Sequence, residues 1–248
     1  MPDRVVVITG ASSGIGAALA ELLAARGESL LVVARREEAL AAVVSKCGDR
    51  AKALTADMTS RSEVRRTVTA ALERYARVDV WVNNVGQGIT RPPSQLTEED
   101  VEAMMRINVL TALYGCQEIL PHFMARGRGH IINLSSMLGR IPHAVHRSAY
   151  NGAKHFLNAL TANFRSEVQA SHPDIQFSLI SPGVVRTEFG RNALHGGPDS
   201  WQLPDSQSAE DVAAVIAEVI ETRRPDVYTR PGARDRVVGY FGTIGQDP

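Results

Sequence analysis

The sequence predicts an α/β protein with a single domain over residues 1–248. The expected architecture is a doubly wound parallel sheet of about seven strands with helices on both faces. Short apolar runs rich in β-branched residues alternate with helical patterns along the whole chain. A length of 248 residues suits one large domain. No linker, repeat or low-complexity block interrupts the alternation.

The apolar runs have the composition of strands that are covered on both faces. They occupy residues 5–8, 29–34, 51–56, 78–82, 129–134, 175–180 and 226–229. Helical patterns follow at about 17–23, 37–46, 62–75, 97–124, 149–170 and 208–222, and Thr97 and Ser208 are expected N-caps. Residues 188–207 lack periodicity and are rich in glycine and proline. Such a segment predicts a mobile lid over a substrate.

Composition and charge exclude several classes of partner. Lys+Arg and Asp+Glu are equal at 27 each, which argues against nucleic acid or an anionic membrane. No apolar run approaches the length of a membrane span. The first strand begins too early to leave room for a signal peptide. Cys47 and Cys116 lie outside any metal-like spacing, so we expect no metal, reduced packing cysteines and a cytoplasmic location.

The first strand leads through Thr9-Gly10-Ala11-Ser12-Ser13-Gly14-Ile15-Gly16 into a helix rich in alanine and leucine. Gly10 lets the chain turn sharply, and Gly14 and Gly16 remove Cβ atoms where backbone meets pyrophosphate and helix meets strand. The helix N-terminus offers free N–H groups to phosphate. In this context the glycine pattern predicts a Rossmann-like dinucleotide site rather than an ordinary turn.

Other polar residues follow the strands at their carboxyl ends, where open α/β sheets bind ligands. They are Arg35, Asp57, Asn83, Ser136 and the Pro182-Gly183 turn. Tyr150 and Lys154 lie four residues apart on one face of the helix that follows Ser136. Alone, such a pair is equally well explained as a tyrosine beside a solvated lysine, but the dinucleotide loop and Ser136 favour a catalytic pair.

Together these residues resemble a short-chain dehydrogenase/reductase of the single-domain type. The similarity rests on the glycine loop and on residues that follow in the family's order, namely Asp57, Asn83-Asn84-Val85-Gly86, Asn108, Ser136, Tyr150, Lys154 and Pro182-Gly183. It implies that Tyr150 is the general acid or base and that Ser136 hydrogen-bonds the substrate oxygen. It further implies that Lys154 holds the nicotinamide ribose and lowers the pKa of Tyr150, while Asn108 holds a water in a proton relay.

The resemblance also implies a set of residues that bind the cofactor. Asp57 would meet the adenine, Asn83 and Gly86 would flank the ribose and pyrophosphate, and Thr187 would reach the pyrophosphate or carboxamide. The full expected set is Gly10, Ser12, Ser13, Gly14, Ile15, Gly16, Arg35, Asp57, Met58, Asn84, Val85, Gly86, Tyr150, Lys154, Pro182, Gly183, Val185 and Thr187.

Elementary electrostatics supports the tyrosine's role. A free phenol titrates near pH ~10. A cation ~4 Å away, at an effective dielectric constant of ~20, favours the phenolate by about 4 kcal/mol, which is roughly three pKa units. The Tyr150–Lys154 pair is therefore predicted to bring the pKa of the phenol towards neutrality.

The end of the second strand predicts NADP(H) rather than NAD(H). NAD sites usually place Asp or Glu there, whereas this chain has Ala34 followed by Arg35 and Arg36. We expect Arg35 to bind the 2′-phosphate, with a hydroxyl from Ser12. Arg36 is expected to be a solvated residue at the helix start, paired with a neighbouring glutamate.

Two departures from the family pattern concern the active site. Val85 replaces the usual alanine, and the Ser136–Tyr150 interval is one residue longer, with the extra residue near His146-Arg147. Ser135 is therefore an alternative to Ser136, although Gly139 three residues on favours Ser136. The sequence leaves open whether His143 or His146 contacts the substrate.

The function predicted from these residues is an NADP-dependent carbonyl reductase, or the reverse secondary-alcohol dehydrogenase. Alternatives are a 3-oxoacyl thioester reductase, which would need a basic patch such as Arg126 and Arg128, and a non-catalytic NADP-binding sensor or scaffold. A mostly apolar lining favours a hydrophobic small molecule, with candidates Met137, Leu138, Ile141, Val145, Val184, Phe189, Leu194 and Trp201. A homotetramer or dimer is expected by resemblance and from the apolar stripe Phe156, Leu160 and Phe164.

Overall fold

The computed structural model describes residues 4–245. Within them, seven parallel strands form one sheet in the order β3-β2-β1-β4-β5-β6-β7. The strands are β1 Val5–Thr9, β2 Ser29–Ala34, β3 Ala51–Thr55, β4 Val80–Asn83, β5 Gly129–Leu134, β6 Ile175–Ser181 and β7 Asp226–Tyr228. The predicted fold class is confirmed.

Helices connect the strands and cover both faces of the sheet. They are α1 Gly14–Ala25, α2 Glu37–Cys47, α3 Arg61–Tyr75, α4 Glu98–Met105, α5 Thr111–Arg126, α6 Ser148–Gln169, α7 Ala209–Thr222 and α8 Ala233–Phe241. One apolar core joins the sheet to α1, α2 and α7, and a second joins the opposite face to α3, α5 and α6. The strand order reverses between β1 and β4, so the ligand crevice is expected beyond their carboxyl ends.

The helical pattern predicted over 97–124 is two helices rather than one. A π-helical segment, Arg106–Leu110, separates α4 from α5. The predicted start is confirmed, since Thr97 and Asp100 form a reciprocal capping box. The widened turn contains Asn108, and such bulges occur frequently at functional sites.

Two further differences concern a strand and a helix. β4 begins at Val80 rather than at Val78, because the Val78 amide donates to the His122 imidazole (3.2 Å) instead of to a strand. Helix α8 has no counterpart in the sequence-based expectations. Its N-cap is Gly232, in the left-handed conformation, rather than a Ser, Thr, Asp or Asn.

The segment 188–207 contains no helix or strand, as expected. It nevertheless has defined anchors. Leu194 exchanges backbone hydrogen bonds with the loop after β4, donating to Gly88 (2.8 Å) and accepting from Thr90 (2.9 Å). Gln207 pairs with Val185 in a short parallel bridge. The role of this segment as a lid stays a prediction.

Most of the stripe on α6 that motivated the expected oligomer is covered within the chain. Leu160 packs into a core cluster, and Phe164 stacks on Phe177 at 5.4 Å between ring centres. Phe156 remains exposed.

Both cysteines, Cys47 and Cys116, are free and buried. No helix within residues 4–245 combines the length and the hydrophobicity that spanning a membrane requires.

Candidate active site

The glycine loop at the end of β1 has the shape of a backbone cradle. Gly10 and Gly14 adopt positive φ angles of +65° and +56°. A Cβ atom on Gly16 would lie 2.5 Å from the Gly10 carbonyl oxygen, so only glycine fits there. Asn84 fixes the loop by donating from Nδ2 to the carbonyls of Thr9 (3.1 Å) and Gly10 (3.0 Å). These features fit a dinucleotide pyrophosphate.

The opposite wall of this cradle is formed after β6. A Cβ atom on Gly14 would lie 3.0 Å from the Thr187 methyl group, which puts Thr187 over the loop. Val185 is buried beside the core, and the Pro182 carbonyl accepts from the Met137 amide (2.8 Å). The predicted cofactor residues after β6 therefore lie at the same edge of the sheet as the glycine loop.

The two arginines after β2 have different surroundings from those expected. Arg36 donates from Nη2 to the hydroxyls of Ser12 (3.1 Å) and Ser13 (2.7 Å) in the glycine loop. Arg36 is exposed at the start of α2, as expected, but its partners are these two serines rather than the neighbouring glutamate. Arg35 is exposed, and Ala34 is buried without any carboxylate at the strand end.

Asn83 has a structural role instead of the expected contact with the cofactor. It is buried, accepts from Trp81 Nε1 (2.7 Å) and donates to Asn133 Oδ1 (2.8 Å) beneath α5. Because successive side chains of a strand point to opposite faces, Asn83 and Asn84 cannot both face the glycine loop. Asp57, which follows β3, accepts from the amide and hydroxyl of Thr59 through Oδ1 (3.0 and 2.9 Å).

Tyr150 lies in the first turn of α6 and is buried. Its ring meets that of Phe189 edge-on at 5.5 Å between centres. Ile89 and Leu194 complete the apolar cluster around it. Burial raises the pKa of Tyr150 to about 12, and a hydrogen bond with Ser136 and the charge of Arg147 oppose this rise.

Lys154 is buried one turn further along α6. Its Nζ donates to the Leu134 carbonyl (2.8 Å) and lies 5.7 Å from the centre of the Tyr150 ring. Burial lowers the pKa of Lys154 to about 7. The expectation that the Tyr150–Lys154 pair brings the pKa of Tyr150 towards neutrality is contradicted in this structure, because burial penalises the charged form of both groups.

The structure decides between the two candidate serines. The Ser135 hydroxyl donates to Asn158 Oδ1, so it is engaged with α6. Ser136 interacts with Tyr150, where it opposes the rise in the pKa of the phenol, and its Oγ accepts from the Leu138 amide (3.1 Å). Ser136 is therefore the candidate for contact with a substrate oxygen.

Asn108 lies in the π-helical segment and is completely buried. Its Nδ2 donates to the carbonyls of Gln87 (2.9 Å) and Met104 (3.1 Å), and its Oδ1 accepts from the Gln87 amide (3.2 Å). A Cβ atom on Gly86 would lie 3.1 Å from Asn108 Oδ1 and 3.6 Å from Lys154 Nζ. Gly86 thus brings its backbone against both side chains.

The expected apolar lining is only partly assembled around Tyr150. Leu138, Phe189 and Leu194 belong to its cluster. Met137 and Ile141 pack instead against α8. The remaining candidates, Val145, Val184 and Trp201, are exposed. Both His143 and His146 are exposed as well, and His143 Nδ1 lies 3.2 Å from the Ile141 carbonyl.

Arg147 is a residue of this site that sequence reasoning missed as a functional group. Its Nη1 donates to the Ile89 carbonyl (3.0 Å), and its charge acts on Tyr150. Its position three residues before Tyr150, beside the extra residue of the loop, is the only signal in the sequence. Among residues 4–245, no group of three His, Cys, Asp or Glu residues is arranged to hold a metal ion.

The family model described as short chain dehydrogenase matches residues 4–196. The chain belongs to the short-chain dehydrogenase family. An uncharacterised oxidoreductase of Staphylococcus epidermidis is 31% identical over 92% of this chain and 97% of its own. A 1,6-dihydroxycyclohexa-2,4-diene-1-carboxylate dehydrogenase of Pseudomonas putida is 37% identical over 82% of this chain and 72% of its own. This short-chain dehydrogenase is thus an oxidoreductase acting on CH–OH or C=O groups.

Solved structures of the family have the same architecture and bind a nicotinamide cofactor. A short-chain dehydrogenase from Burkholderia phymatum in complex with NAD superposes with a TM-score of 0.87 at 25% identity, covering 99% of this chain and 97% of that one. One from Sphingobium yanoikuyae in complex with NADPH gives 0.83 at 28% identity, with the same coverages. A nicotinamide cofactor is therefore supported for this short-chain dehydrogenase.

Proposed function

We propose that the protein is an NADP-dependent carbonyl reductase, or secondary-alcohol dehydrogenase, in which Tyr150 transfers the proton. The observation that carries this proposal is the buried Tyr150, which interacts with Ser136 and has Lys154 Nζ 5.7 Å from its ring centre. When bound, the nicotinamide would supply or accept the hydride. The residues that would hold the cofactor are the glycine loop, Asn84, Gly86, Pro182, Gly183 and Thr187.

Each polar side chain then has a defined task. Tyr150 protonates the substrate oxygen in reduction, or removes its proton in oxidation. Ser136 orients that oxygen by a hydrogen bond. Lys154 holds ribose hydroxyls and, when protonated, favours the phenolate of Tyr150. Asn108 supports a proton relay behind Lys154. The Gly86 backbone lies close to both side chains, so the two are near one another.

The preference for NADP(H) rests on the end of β2. A 2′-phosphate beside Ala34 meets no carboxylate, whereas an Asp or Glu there would repel it. Arg35 remains our principal candidate for its ligand. Arg36 supports the same preference, since its guanidinium lies on the hydroxyls of Ser12 and Ser13. A guanidinium and hydroxyls together form a good site for a phosphate group.

The proposed substrate is a small molecule with an apolar body. Leu138, Phe189 and Leu194 beside Tyr150 support this. The Pseudomonas putida relative is named for a cyclic diol that carries a carboxylate, and secondary carbinols of that size are reasonable candidates. A homo-oligomeric state, as a tetramer or dimer, and a cytoplasmic location stay predictions from the sequence.

One observation weighs against a 3-oxoacyl thioester reductase. Arg126, half of its expected docking patch, is engaged with Asp79 (3.0 Å) and the Val78 carbonyl (2.5 Å). The alternative of a non-catalytic NADP sensor is opposed by the assembled Ser136, Tyr150, Lys154 and Asn108 set. The sensor alternative predicts binding of the cofactor without turnover.

The test is a kinetic screen of the purified protein. NADPH oxidation is followed with aliphatic, cyclic and aromatic ketones at neutral pH, and NADP⁺ reduction with the matching alcohols at alkaline pH. We expect turnover by the wild type and none by Tyr150→Phe. NADPH binding without turnover across the panel would contradict the proposal and favour the sensor.

A further inference from the structure

Arg147 is a half-buried cation with little compensation in the described part of the chain. It precedes α6 as its N-cap residue. Its guanidinium donates one hydrogen bond, from Nη1 to the Ile89 carbonyl (3.0 Å). No carboxylate within residues 4–245 forms an ion pair with it. A guanidinium has five N–H donors, so most of its capacity is unused.

The guanidinium lies between the loop after β4 and the segment 188–207. A Cβ atom on Gly88 would lie 2.6 Å from Arg147 Nη1 and 3.0 Å from Phe189 Cε1. One on Gly197 would lie 3.1 Å from Arg147 Nη2. Since the Phe189 ring contacts that of Tyr150 at 5.5 Å between centres, Phe189 connects the catalytic tyrosine to Arg147.

An unsatisfied hydroxyl accompanies this cation. Thr90 Oγ1 is buried and has no hydrogen-bond partner within the described residues. The same Cβ position on Gly197 would lie 3.0 Å from Thr90 Oγ1. Thr90 Oγ1 and Arg147 Nη2 therefore both lie close to Gly197. Buried polar groups without partners are uncommon, and a bound water or ion is one explanation for them.

Asp100, the ion-pair partner of the neighbouring Arg91, is already engaged. Asp100 binds Arg91 (2.7 Å) and the His195 Nε2 atom (2.7 Å). Arg91 and Arg147 are also neighbours through a short parallel bridge. The region beside Tyr150 therefore carries an excess of positive charge. Burial lowers the pKa of Arg147, which reflects the cost of a cation without an anionic partner.

We propose that Arg147, assisted by the Thr90 hydroxyl, binds a carboxylate on the substrate. The substrate class is then an oxo acid or the matching hydroxy acid, with its reacting carbon at Tyr150 and its apolar body against Phe189. This inference rests on the proposed reductase function. It makes Arg147 a specificity-determining residue, because a guanidinium pairs with a carboxylate through two parallel hydrogen bonds.

The test compares oxo acids with their methyl esters as substrates for NADPH oxidation. Benzoylformate, 4-oxopentanoate and 3-benzoylpropionate place the carboxylate at different distances from the carbonyl. We expect the wild type to prefer at least one acid over its ester by about tenfold or more in kcat/KM, mostly through KM. Arg147→Met should abolish this preference by slowing the acid alone, and Arg147→Lys should retain part of it. Arg224→Met, at the opposite end of the sheet, is the matched control.

A second readout separates this inference from the proposed function. Calorimetry measures binding of 3-benzoylpropionate to the wild type and to Arg147→Met in the presence of NADP⁺. Equal use of acids and esters by the wild type would overturn the inference, as would an equal loss of both in Arg147→Met, which indicates a structural brace. Arg147-dependent binding of the acid without turnover would support the anion site and overturn the reductase function instead. Absence of that binding together with absence of turnover would overturn both.

Discussion

Lys154 lies against the ring of Tyr150, with its Nζ atom 5.7 Å from the ring centre and hydrogen-bonded to the Leu134 carbonyl (2.8 Å). Both side chains are buried, and their pKa values move in opposite directions, to about 7 for Lys154 and about 12 for Tyr150. Burial therefore favours the neutral form of each member of the proposed catalytic pair. A charged lysine at this position must be stabilised by the ligand that it binds. Protonation of Lys154 is therefore linked to ligand binding.

The first prediction concerns the pH dependence of stability without added ligands. The pKa of Lys154 falls from 10.5 to about 7 on folding, so the unfolded chain binds more protons between these values. The free energy of unfolding should therefore rise with pH across this window. Urea unfolding of the wild type and Lys154→Met should show a smaller rise in the variant. The exposed Lys46, paired with Glu21, provides the control Lys46→Met.

The opposite sign applies to Tyr150 at higher pH. Its pKa rises from 10.0 to about 12 on folding, so the folded protein retains the proton that the unfolded chain loses. Stability contributed by this group is lost as pH rises from 10 to 12. For Lys154, the burial argument would be contradicted if the free energy of unfolding changed equally with pH in wild type and Lys154→Met between pH 7 and 10.5.

The second prediction is that Tyr150→Phe keeps the cofactor site and removes turnover. The phenyl ring still packs against Phe189, but it cannot transfer a proton. We expect NADPH affinity within about threefold of the wild type and kcat below a few per cent, an order-of-magnitude bound for losing acid–base help. Fluorescence titration and steady-state kinetics measure the two quantities. Retained turnover would remove Tyr150 from its proposed role.

The third prediction concerns NADPH against NADH. Ala34→Asp/Arg35→Ala should shift kcat/KM towards NADH by tens- to hundreds-fold, since charge-assisted hydrogen bonds contribute ~1.5–3 kcal/mol each. Because Arg36 contacts Ser12 and Ser13, Arg36→Ala measures its share separately. Lys46→Met again provides a control for a lost surface cation. Equal use of both cofactors by the wild type would refute the assignment.

The fourth prediction tests the glycine cradle. Gly16→Ala puts a methyl group 2.5 Å from the Gly10 carbonyl and 2.6 Å from Asn84 Nδ2. The loop must move, so we expect a loss of stability of about 1–3 kcal/mol and weaker NADPH binding. Gly239→Ala in α8 meets no atom within 4 Å and should stabilise by about 0.5–1 kcal/mol. Unchanged NADPH affinity in Gly16→Ala would show that the cradle does not bind the cofactor.

The fifth prediction is that residues 188–207 open and close over the substrate. Their anchors include Leu194 on the loop after β4, His195 on Asp100 (2.7 Å), Asn192 on Gln87 (2.9 Å) and Gln207 on Thr229 (2.7 Å). Limited proteolysis within the segment should slow several-fold when NADPH and substrate are added together. His195→Ala should raise cleavage in the absence of ligands. Equal cleavage with and without ligands would show that the segment is not a lid.

The sequence by itself determined the fold and supplied most of the candidate site residues. Apolar runs of strand length alternate with helical periodicity, and these patterns depend on neighbouring residues that the sequence displays directly. The glycine spacing after β1 predicted a close approach between backbone segments of the loop. In the structure, Gly16 lies so close to the Gly10 carbonyl that a Cβ atom would not fit. The order of Ser136, Tyr150 and Lys154 likewise predicted one site, and the structure brings these three side chains together.

The tertiary structure alone decided where the side chains point. The Ser135 hydroxyl binds Asn158, which leaves Ser136 as the better candidate. Asn84 donates to the glycine loop, whereas Asn83 faces α5. Arg36 donates to Ser12 and Ser13. The tertiary structure also assembled Arg147, Thr90 and Phe189 around Gly88 and Gly197. These outcomes depend on packing between elements that are distant in the sequence. A local pattern fixes the backbone type, whereas the partners of a side chain follow from which strands and helices meet.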